Sequence, residues 1–593
     1  MDLKLKHDSR DINYRNPFGS ICRVKKVYIA ILLNEFLEVN LDLCYFDYSK
    51  KSIKMDNLKH NEEEYLYYCY IDLDENYEGL INYYFRIRTD NGNYIYYGNN
   101  SDGLGGEGQV YYETPVPYQI TVYKPFNVPE WFKEGIVYQI FVDRFKNGND
   151  DGRITNPKPN SFIYGNWNDE PMYIKDASGK IARWDFFGGN LKGVIEKLDY
   201  IKSLGVTAIY LNPIFKSASN HKYDTGDYRN IDEMYGDEDT FKELCQEANK
   251  INIKIILDGV FSHTADDSIY FNKYNNYNSV GAYQSKESPY YNWYKFRNYP
   301  YEYESWWGVS SMPNINDMDS TYLDFIVSGE NSILKKWMEA GVYGWRLDVA
   351  DELSDKFIEK IRDRIKSIYS DSVLIGEVWE DASNKISYSN RRKYVFGHEL
   401  DSVTNYPFRN AVIGFLKGDI DSKFFERIIL SLYENYPKEM FYSNLNVIGT
   451  HDTERILTVL GNNTEKALQL LKMAVAIQMT MPGVPTIYYG DEVGVLGGND
   501  PLNRKTYPWG NENNSILDFY RYITKVRSRS DALKKGDIKF YSVDNDLLCY
   551  DRSFNNEKIL IAINRNENRV FNVKINDRDI DVLPCEIKII NLE

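Results

Sequence analysis

Three regimes of hydrophobic patterning follow one another along the chain. Over residues 1 to about 125, apolar and polar positions alternate in short stretches at 27–33, 65–71 and 81–87. Turns rich in Gly and Asn, such as Asp90-Asn91-Gly92-Asn93, separate them, and no helical period persists. A period of two bounded by such turns predicts an antiparallel β-sandwich over 1–125. Lys124-Pro125-Phe126-Asn127-Val128-Pro129 then reads as a linker.

From 131 to 530 the pattern changes. Continuous apolar runs at 136–142, 206–211, 253–257, 342–349, 373–378, 446–449 and 484–489 alternate with amphipathic stretches at 191–203, 238–250, 331–340, 354–369, 465–479 and 515–530. Buried parallel strands read as unbroken apolar runs, and their alternation with helices marks βα units. With a weak sixth strand near 399–403 the count is eight, which predicts a multidomain chain built on a (β/α)8 TIM barrel. A segment at 264–328, rich in Tyr, Asn and Ser, follows the third strand. It is too long for a structureless loop, so an inserted subdomain over the barrel mouth is expected. Residues 537–593 return to short strands and predict a C-terminal β-sandwich.

Charge and composition narrow the function classes. The 593 residues carry 71 Lys+Arg against 87 Asp+Glu, a net charge of −16. Nucleic acid and anionic membranes need a basic footprint, so neither is an expected partner. No apolar run reaches the length of a transmembrane helix, and the first residues lack the apolar core of a signal peptide. The six cysteines are scattered without CxxC spacing. Free thiols in a reducing, cytoplasmic compartment are therefore expected. Aromatics reach 15%, with 52 Tyr. Flat rings with a polar edge suit sugar rings, although a compositional bias that fills cores with Tyr would give the same count.

Active sites of TIM barrels sit at the C-terminal ends of the strands, and here those ends carry titratable groups. The third strand closes with Leu257-Asp258-Gly259-Val260-Phe261-Ser262-His263, and the fourth with Gly344-Trp345-Arg346-Leu347-Asp348-Val349-Ala350. The fifth closes with Leu374-Ile375-Gly376-Glu377-Val378-Trp379, and the seventh with Val447-Ile448-Gly449-Thr450-His451-Asp452. Asp348, Glu377 and Asp452 would then face one bowl. Of only six histidines, His221, His263 and His451 fall in such loops.

These four segments resemble the signature regions of the α-amylase superfamily of retaining glycoside hydrolases. Gly205-Val206-Thr207-Ala208-Ile209-Tyr210-Leu211-Asn212-Pro213 and Gly483-Val484-Pro485-Thr486-Ile487-Tyr488-Tyr489-Gly490-Asp491-Glu492 extend the resemblance over the barrel. Met312-Pro313-Asn314-Ile315-Asn316 and Ser219-Asn220-His221-Lys222-Tyr223-Asp224-Thr225 are similar to segments of the neopullulanase, cyclomaltodextrinase and maltogenic amylase group. So is the starch-binding-like domain ahead of the barrel.

The resemblance implies a retaining, endo-acting hydrolase of α-1,4-glucosidic bonds in pullulan, maltodextrins, cyclomaltodextrins or starch, with some transglycosylation. Amylopullulanase-like or plain α-amylase specificity is the alternative, and an inactive glycan-binding homologue a more distant one. Asp348 becomes the nucleophile, Glu377 the acid/base and Asp452 the transition-state stabiliser. Tyr223 would stack on the sugar at the cleavage point. His221, His263, His451, Arg346, Trp379, Asp500 and Arg504 complete the substrate-binding set. Arg346, two residues before Asp348, would hold that carboxylate ionised. The motif of Glu377 carries no cation, so the proton is expected there. Asp351, where the group commonly has Asn, and Glu352 would shape the acceptor side. No organic cofactor is implied. Ca²⁺ at Asn147, Asn149, Asp151, Gly188 and Asn190 stays open, because the turn reads Gly188-Gly189-Asn190 where relatives have Gly-Gly-Asp; a separate Ca²⁺ site between barrel and insertion is not expected, since Ser262 replaces the Asn usual in the family. Monomer and homodimer also stay open.

Overall fold

The computed structural model describes residues 3–575 and 578–592. The chain forms two compact units, one of Met1–Asn127, Glu380–Asp401 and Lys423–Phe441, the other of Val128–Trp379, Ser402–Ser422 and Tyr442–Glu593.

The first unit holds two antiparallel sheets. One runs Leu5–Lys6, Lys26–Leu33, Tyr65–Asp72, Asp56–Lys59, with Arg15–Asn16 beside Lys26–Leu33. The other runs Gln109–Tyr111, Tyr94–Gly98, Gly79–Arg88, Glu38–Tyr45, Lys50–Lys54, with Tyr118–Val122 beside Gly79–Arg88. Alternation places Val27, Ile29, Ile31 and Leu33 in a shared core with Val39, Leu41, Leu43, Ile81, Tyr83, Phe85 and Ile87. The sequence pattern assigned 1–125 to this unit alone. In the structure the two later segments join it. Glu434, at the end of the helix Ser422–Asn435, is buried and accepts from Arg15 at 2.8 Å and Arg10 at 3.2 Å. Arg391 donates to the carbonyls of Tyr45 (2.6 Å) and Phe46 (3.0 Å) and lies 4.0 Å from the ring of Tyr48.

The second unit is built on eight parallel strands in the order Ser402–Val403, Val373–Gly376, Val342–Leu347, Lys254–Gly259, Ala208–Leu211, Val137–Ile140, Val484–Tyr488, Leu445–Val447. A parallel bridge between Thr404 and Leu445 closes the ring into a barrel. These strands are buried on both faces, which is why they read as unbroken apolar runs. Outer helices follow sequence signals. Glu238–Lys250 starts where Asp237 accepts from Thr240 N–H at 2.8 Å, and it buries Phe241, Leu244, Cys245 and Ala248 along one face. The stretch at 191–203 breaks at Lys197 into Leu191–Glu196 and Leu198–Ser203. Tyr406–Lys417 and Ser422–Asn435 lie where the hydrophobic pattern gave no assignment.

The insertion after the third strand carries short elements held by ring contacts. Phe271 packs on Tyr294 and Tyr303, both at 4.8 Å, and Trp293 packs on Tyr322 at 5.0 Å. At the C-terminus, Asp537–Phe540, Leu547–Phe554, Glu557–Asn564 and Ile587–Asn591 form one sheet, and Phe571–Ile575 pairs with Arg578–Val582. Among the described residues no helix is long and apolar enough to cross a membrane, and the six cysteines are free.

Candidate active site

Register places the charged groups together. Asp258 on the third strand lies directly beside Arg346 on the fourth, and Arg346 beside Ile375 on the fifth. Glu377 and Asp348 each sit two residues further on, so they project to the same side as those pairs. Arg346 is thereby surrounded. Its Nη1 donates to Asp258 Oδ1 and to Asp348 Oδ1, both at 2.8 Å, and its Nη2 lies 2.8 Å from Glu377 Oε2. The expectation that Glu377 lacks a cation fails for this reason: Arg346 spans adjacent strands, which a motif read one strand at a time does not reveal.

Backbone shape completes the clamp. Val349 sits at φ 37° and ψ 70°, a left-handed conformation that costs a β-branched residue about 1–3 kcal/mol. In return its N–H donates to Glu377 Oε2 at 2.7 Å. The indole N–H of Trp379 donates to Glu377 Oε1 at 3.1 Å, and its ring stacks on Tyr406 at 3.9 Å. Trp379 is 45% exposed.

A polar chain links this cluster to the seventh strand. Tyr210 and Tyr223 donate to Asp258 Oδ2 at 2.5 and 2.9 Å, and Asn212 Nδ2 donates to Tyr223 Oη at 3.0 Å. Gln139 Nε2 donates to His451 Nδ1 at 2.8 Å, which leaves the proton on Nε2, 2.5 Å from Tyr223 Oη and 3.1 Å from Asp452 Oδ2. Arg504 reaches Asp452 at 3.4 Å and Asp500 at 3.1 Å, and Tyr173 donates to Asp500 at 2.5 Å. Asp348, Glu377 and Asp452 therefore belong to one network. Sequence reasoning left Asp258, Tyr210, Asn212 and Gln139 out of it. Asp258 was recoverable as another carboxylate at a strand end, whereas Gln139 lies within a strand and carries no such signal.

The histidines play different parts. Both ring nitrogens of His263 are taken by the protein, Nδ1 by Ser262 Oγ and Nε2 by the Tyr223 carbonyl, each at 3.0 Å. It holds the Tyr223 backbone and has no nitrogen left for a sugar hydroxyl. His221 Nδ1 accepts from Tyr223 N–H at 3.1 Å, and its ring packs against Trp184 at 4.9 Å. Burial lowers His221 and His263 to about 4 and drives His451 well below the ordinary range, with Arg504 and Arg346 adding to the effect. All three stay neutral near pH 7.

The carboxylates move the other way. Burial raises Asp348 well above the usual range against the pull of Arg346, and it raises Asp258 too. Asp452, at the open side of the cleft, is pushed up to about 7 by burial and then by Glu377, with Arg504 and Arg346 opposing. Asp258, Asp348 and Asp452, all pushed up by burial, share Arg346 and Arg504 as nearby cations, so the three titrate as a coupled group.

The turn considered for Ca²⁺ is internally satisfied. Asn190 Oδ1 accepts from Gly193 N–H at 2.9 Å, as an N-cap, and from Gly148 N–H at 3.0 Å. Asn147 Oδ1 accepts from Asn149 N–H at 2.9 Å, and Asp151 Oδ1 from Arg153 N–H at 3.0 Å. At Gly189 a Cβ would meet the Val142 carbonyl at 2.1 Å, so the Gly188-Gly189 turn packs flush on the loop it faces. With these oxygens engaged and one carboxylate in the set, the residues fit a hard cation poorly.

The chain is similar to known proteins over most of its length. The description "Alpha amylase, catalytic domain" matches residues 139–574. An amylopullulanase of Thermoanaerobacterium thermosulfurigenes is 39% identical over 95% of the chain and 33% of its own length. Neopullulanase 2 of Thermoactinomyces vulgaris is 35% identical over 74% of the chain and 70% of its own length. The type III pullulan hydrolase from Thermococcus kodakarensis superposes with a TM-score of 0.69 at 25% identity, covering 99% of this chain and all of that one. The chain spans 33% to 48% of the length of the three amylopullulanases it matches. A barrel of eight parallel strands, three acids gathered at the ends of its fourth, fifth and seventh strands, and a family match over most of the chain lead to one statement: this chain belongs to the alpha-amylase family of glycoside hydrolases.

Proposed function

We propose that the protein cleaves α-1,4-glucosidic bonds of pullulan, maltodextrins, cyclomaltodextrins or starch with retention, and transfers part of the product to sugar acceptors. The observation that carries this reading is the joining of Asp348 and Glu377 through the Arg346 guanidinium. Asp348 Oδ2, the oxygen not bonded to Arg346, attacks the anomeric carbon. Glu377 gives its proton to the leaving oxygen and then takes one from water. Arg346 stabilises the carboxylate that departs when the glycosyl ester is hydrolysed. Asp452 and Tyr223 border the sugar at the cleavage point, and Asp500 with Arg504 the next one outward. The free cysteines support a reducing compartment, and the cytoplasm is the proposed location.

Incubation with pullulan, β-cyclodextrin and starch side by side tests the reading. Panose from pullulan, released first as the α-anomer by proton NMR, is expected. The higher identity to amylopullulanases favours a second reading in which α-1,6 bonds are cut as well. Maltotriose from pullulan would establish that one. Release of the β-anomer would overturn retention.

A further inference from the structure

We propose that Gln139 sets the direction of the hydrogen bonds around Tyr223: its two amide hydrogens fix the tautomer of His451 and the orientation of Asn212, and so send the Tyr223 proton to Asp258. The inference rests on the proposed activity and gives that reaction a positioning residue behind the groups that border the sugar. Gln139 lies on the first barrel strand, Val137–Ile140, and is 2% exposed. Register sets it beside Tyr210 on one side and Tyr488 on the other. Asn212, two residues after Tyr210, projects to the same side as that tyrosine. His451 comes from the loop after the seventh strand and reaches Gln139 across the eighth. A buried amide at this junction brings no charge. What it brings is two hydrogens in one plane.

Counting donors and acceptors leaves one arrangement. Gln139 Nε2 donates to His451 Nδ1 at 2.8 Å and to Asn212 Oδ1 at 3.1 Å, which uses both hydrogens. His451 is neutral near pH 7, since burial and then Arg504 and Arg346 oppose its charging. With Nδ1 accepting, its single proton sits on Nε2, 2.5 Å from Tyr223 Oη. Asn212, whose Oδ1 is occupied, turns Nδ2 to the same hydroxyl at 3.0 Å. Tyr223 Oη thus accepts twice. Its one hydrogen goes to Asp258 Oδ2 at 2.9 Å.

Through Asp258 the arrangement reaches the chemistry. Asp258 also accepts from Tyr210 at 2.5 Å and from Arg346 Nη1 at 2.8 and 3.1 Å, and that nitrogen is the one bonded to Asp348. Arg346, Tyr210 and Tyr223 together oppose the rise that burial imposes on the Asp258 carboxyl. With the amide turned round, Gln139 Oε1 would require a proton on His451 Nδ1. Bare Nε2 would then draw the Tyr223 hydrogen, and Asp258 would lose a donor. It would lean harder on Arg346, which holds the proposed nucleophile.

Nitrogen-15 NMR of the histidine-labelled full chain at pH 7 reads the tautomer directly, with His451→Asn assigning the signal. In the wild type, His451 should show a bare Nδ1 and a protonated Nε2. Gln139→Glu keeps the size but has no amide hydrogens to give, so it should place a proton on Nδ1. Gln139→Met should lose the single tautomer. Asn212→Asp keeps an acceptor for Gln139 and should leave the His451 pattern as in the wild type. On maltoheptaose, kcat should fall about tenfold in Gln139→Glu and Gln139→Met while KM stays within about threefold, because the change acts through Asp258 and Arg346 on the nucleophile. A wild-type His451 protonated on Nδ1, or a pattern that Gln139→Glu leaves unchanged, overturns the proposal. So does a kcat unaltered in Gln139→Glu once its tautomer has switched. A wild type inert on every α-glucan, with Nε2 protonated as expected, overturns the hydrolase reading and leaves the hydrogen-bond direction in place.

Discussion

With Arg346 set against Asp258, Asp348 and Glu377, protonation in the cleft belongs to the cluster rather than to any one carboxyl. Asp348→Asn keeps the hydrogen bond to Arg346 and replaces the carboxyl proposed as nucleophile with an amide. Its turnover should fall by at least about three powers of ten, at 1.36 kcal/mol for each tenfold step. Near-normal turnover would end the assignment. Arg504→Gln tests the seventh-strand acid. Asp452 is already pushed up to about 7 with Arg504 opposing that rise. Removing the cation raises it further, so the acid limb of the kcat/KM profile should move to higher pH. A fixed or lowered limb would show that Asp452 does not act as an anion. Asp348, Glu377 and Asp452 were legible as neighbours in one cleft because each ends an apolar run. The cation on Glu377 was not, since the Arg346 contact crosses from one strand to the next.

At the scale of elements, sequence pattern served best where one physical signal dominates. Glu238–Lys250 combines an Asp cap with one apolar face and matches its sequence bounds. Tyr406–Lys417 escaped because its buried residues include Tyr406, Phe408, Ala411, Val412, Gly414, Phe415 and Leu416, a wide surface without a clear polar stripe. In the loop after the first barrel strand, residue type has to be weighed against the hydrogen bonds already made. Asn147, Asp151 and Asn190 are suitable oxygen donors on paper, yet their oxygens cap a helix and close turns. Prolonged treatment with EDTA should therefore leave the melting midpoint and the rate of maltodextrin hydrolysis unchanged. A drop in the midpoint that Ca²⁺ alone reverses would show that backbone carbonyls hold the ion instead.

For the whole molecule, the domain boundary changes what a truncation measures. From the sequence, deleting 1–125 looks like a clean test of whether the sandwich binds carbohydrate. In the structure that deletion also strips partners from Glu380–Asp401 and Lys423–Phe441: Glu434 loses Arg15 and Arg10, Arg391 loses the Tyr45 and Phe46 carbonyls, and Asn384 loses Gln119. Glu434 is 2% exposed, and a buried carboxylate left without its cation costs about 3–5 kcal/mol. Arg15→Met leaves Arg10 in place, so its cost should fall near the lower end, about 3 kcal/mol. The double variant Arg15→Met/Glu434→Leu removes both charges and should recover most of that loss. Hydrogen exchange gives the decisive readout. In Arg15→Met, amides of Lys26–Leu33, Gly79–Arg88 and residues 423–435 should lose protection together, as parts of one cooperative unit. Barrel strands such as Val342–Leu347 should keep theirs. If 423–435 stay protected while the two sheet strands open, the later segments do not share the stability of the N-terminal unit, and truncation becomes a fair test again.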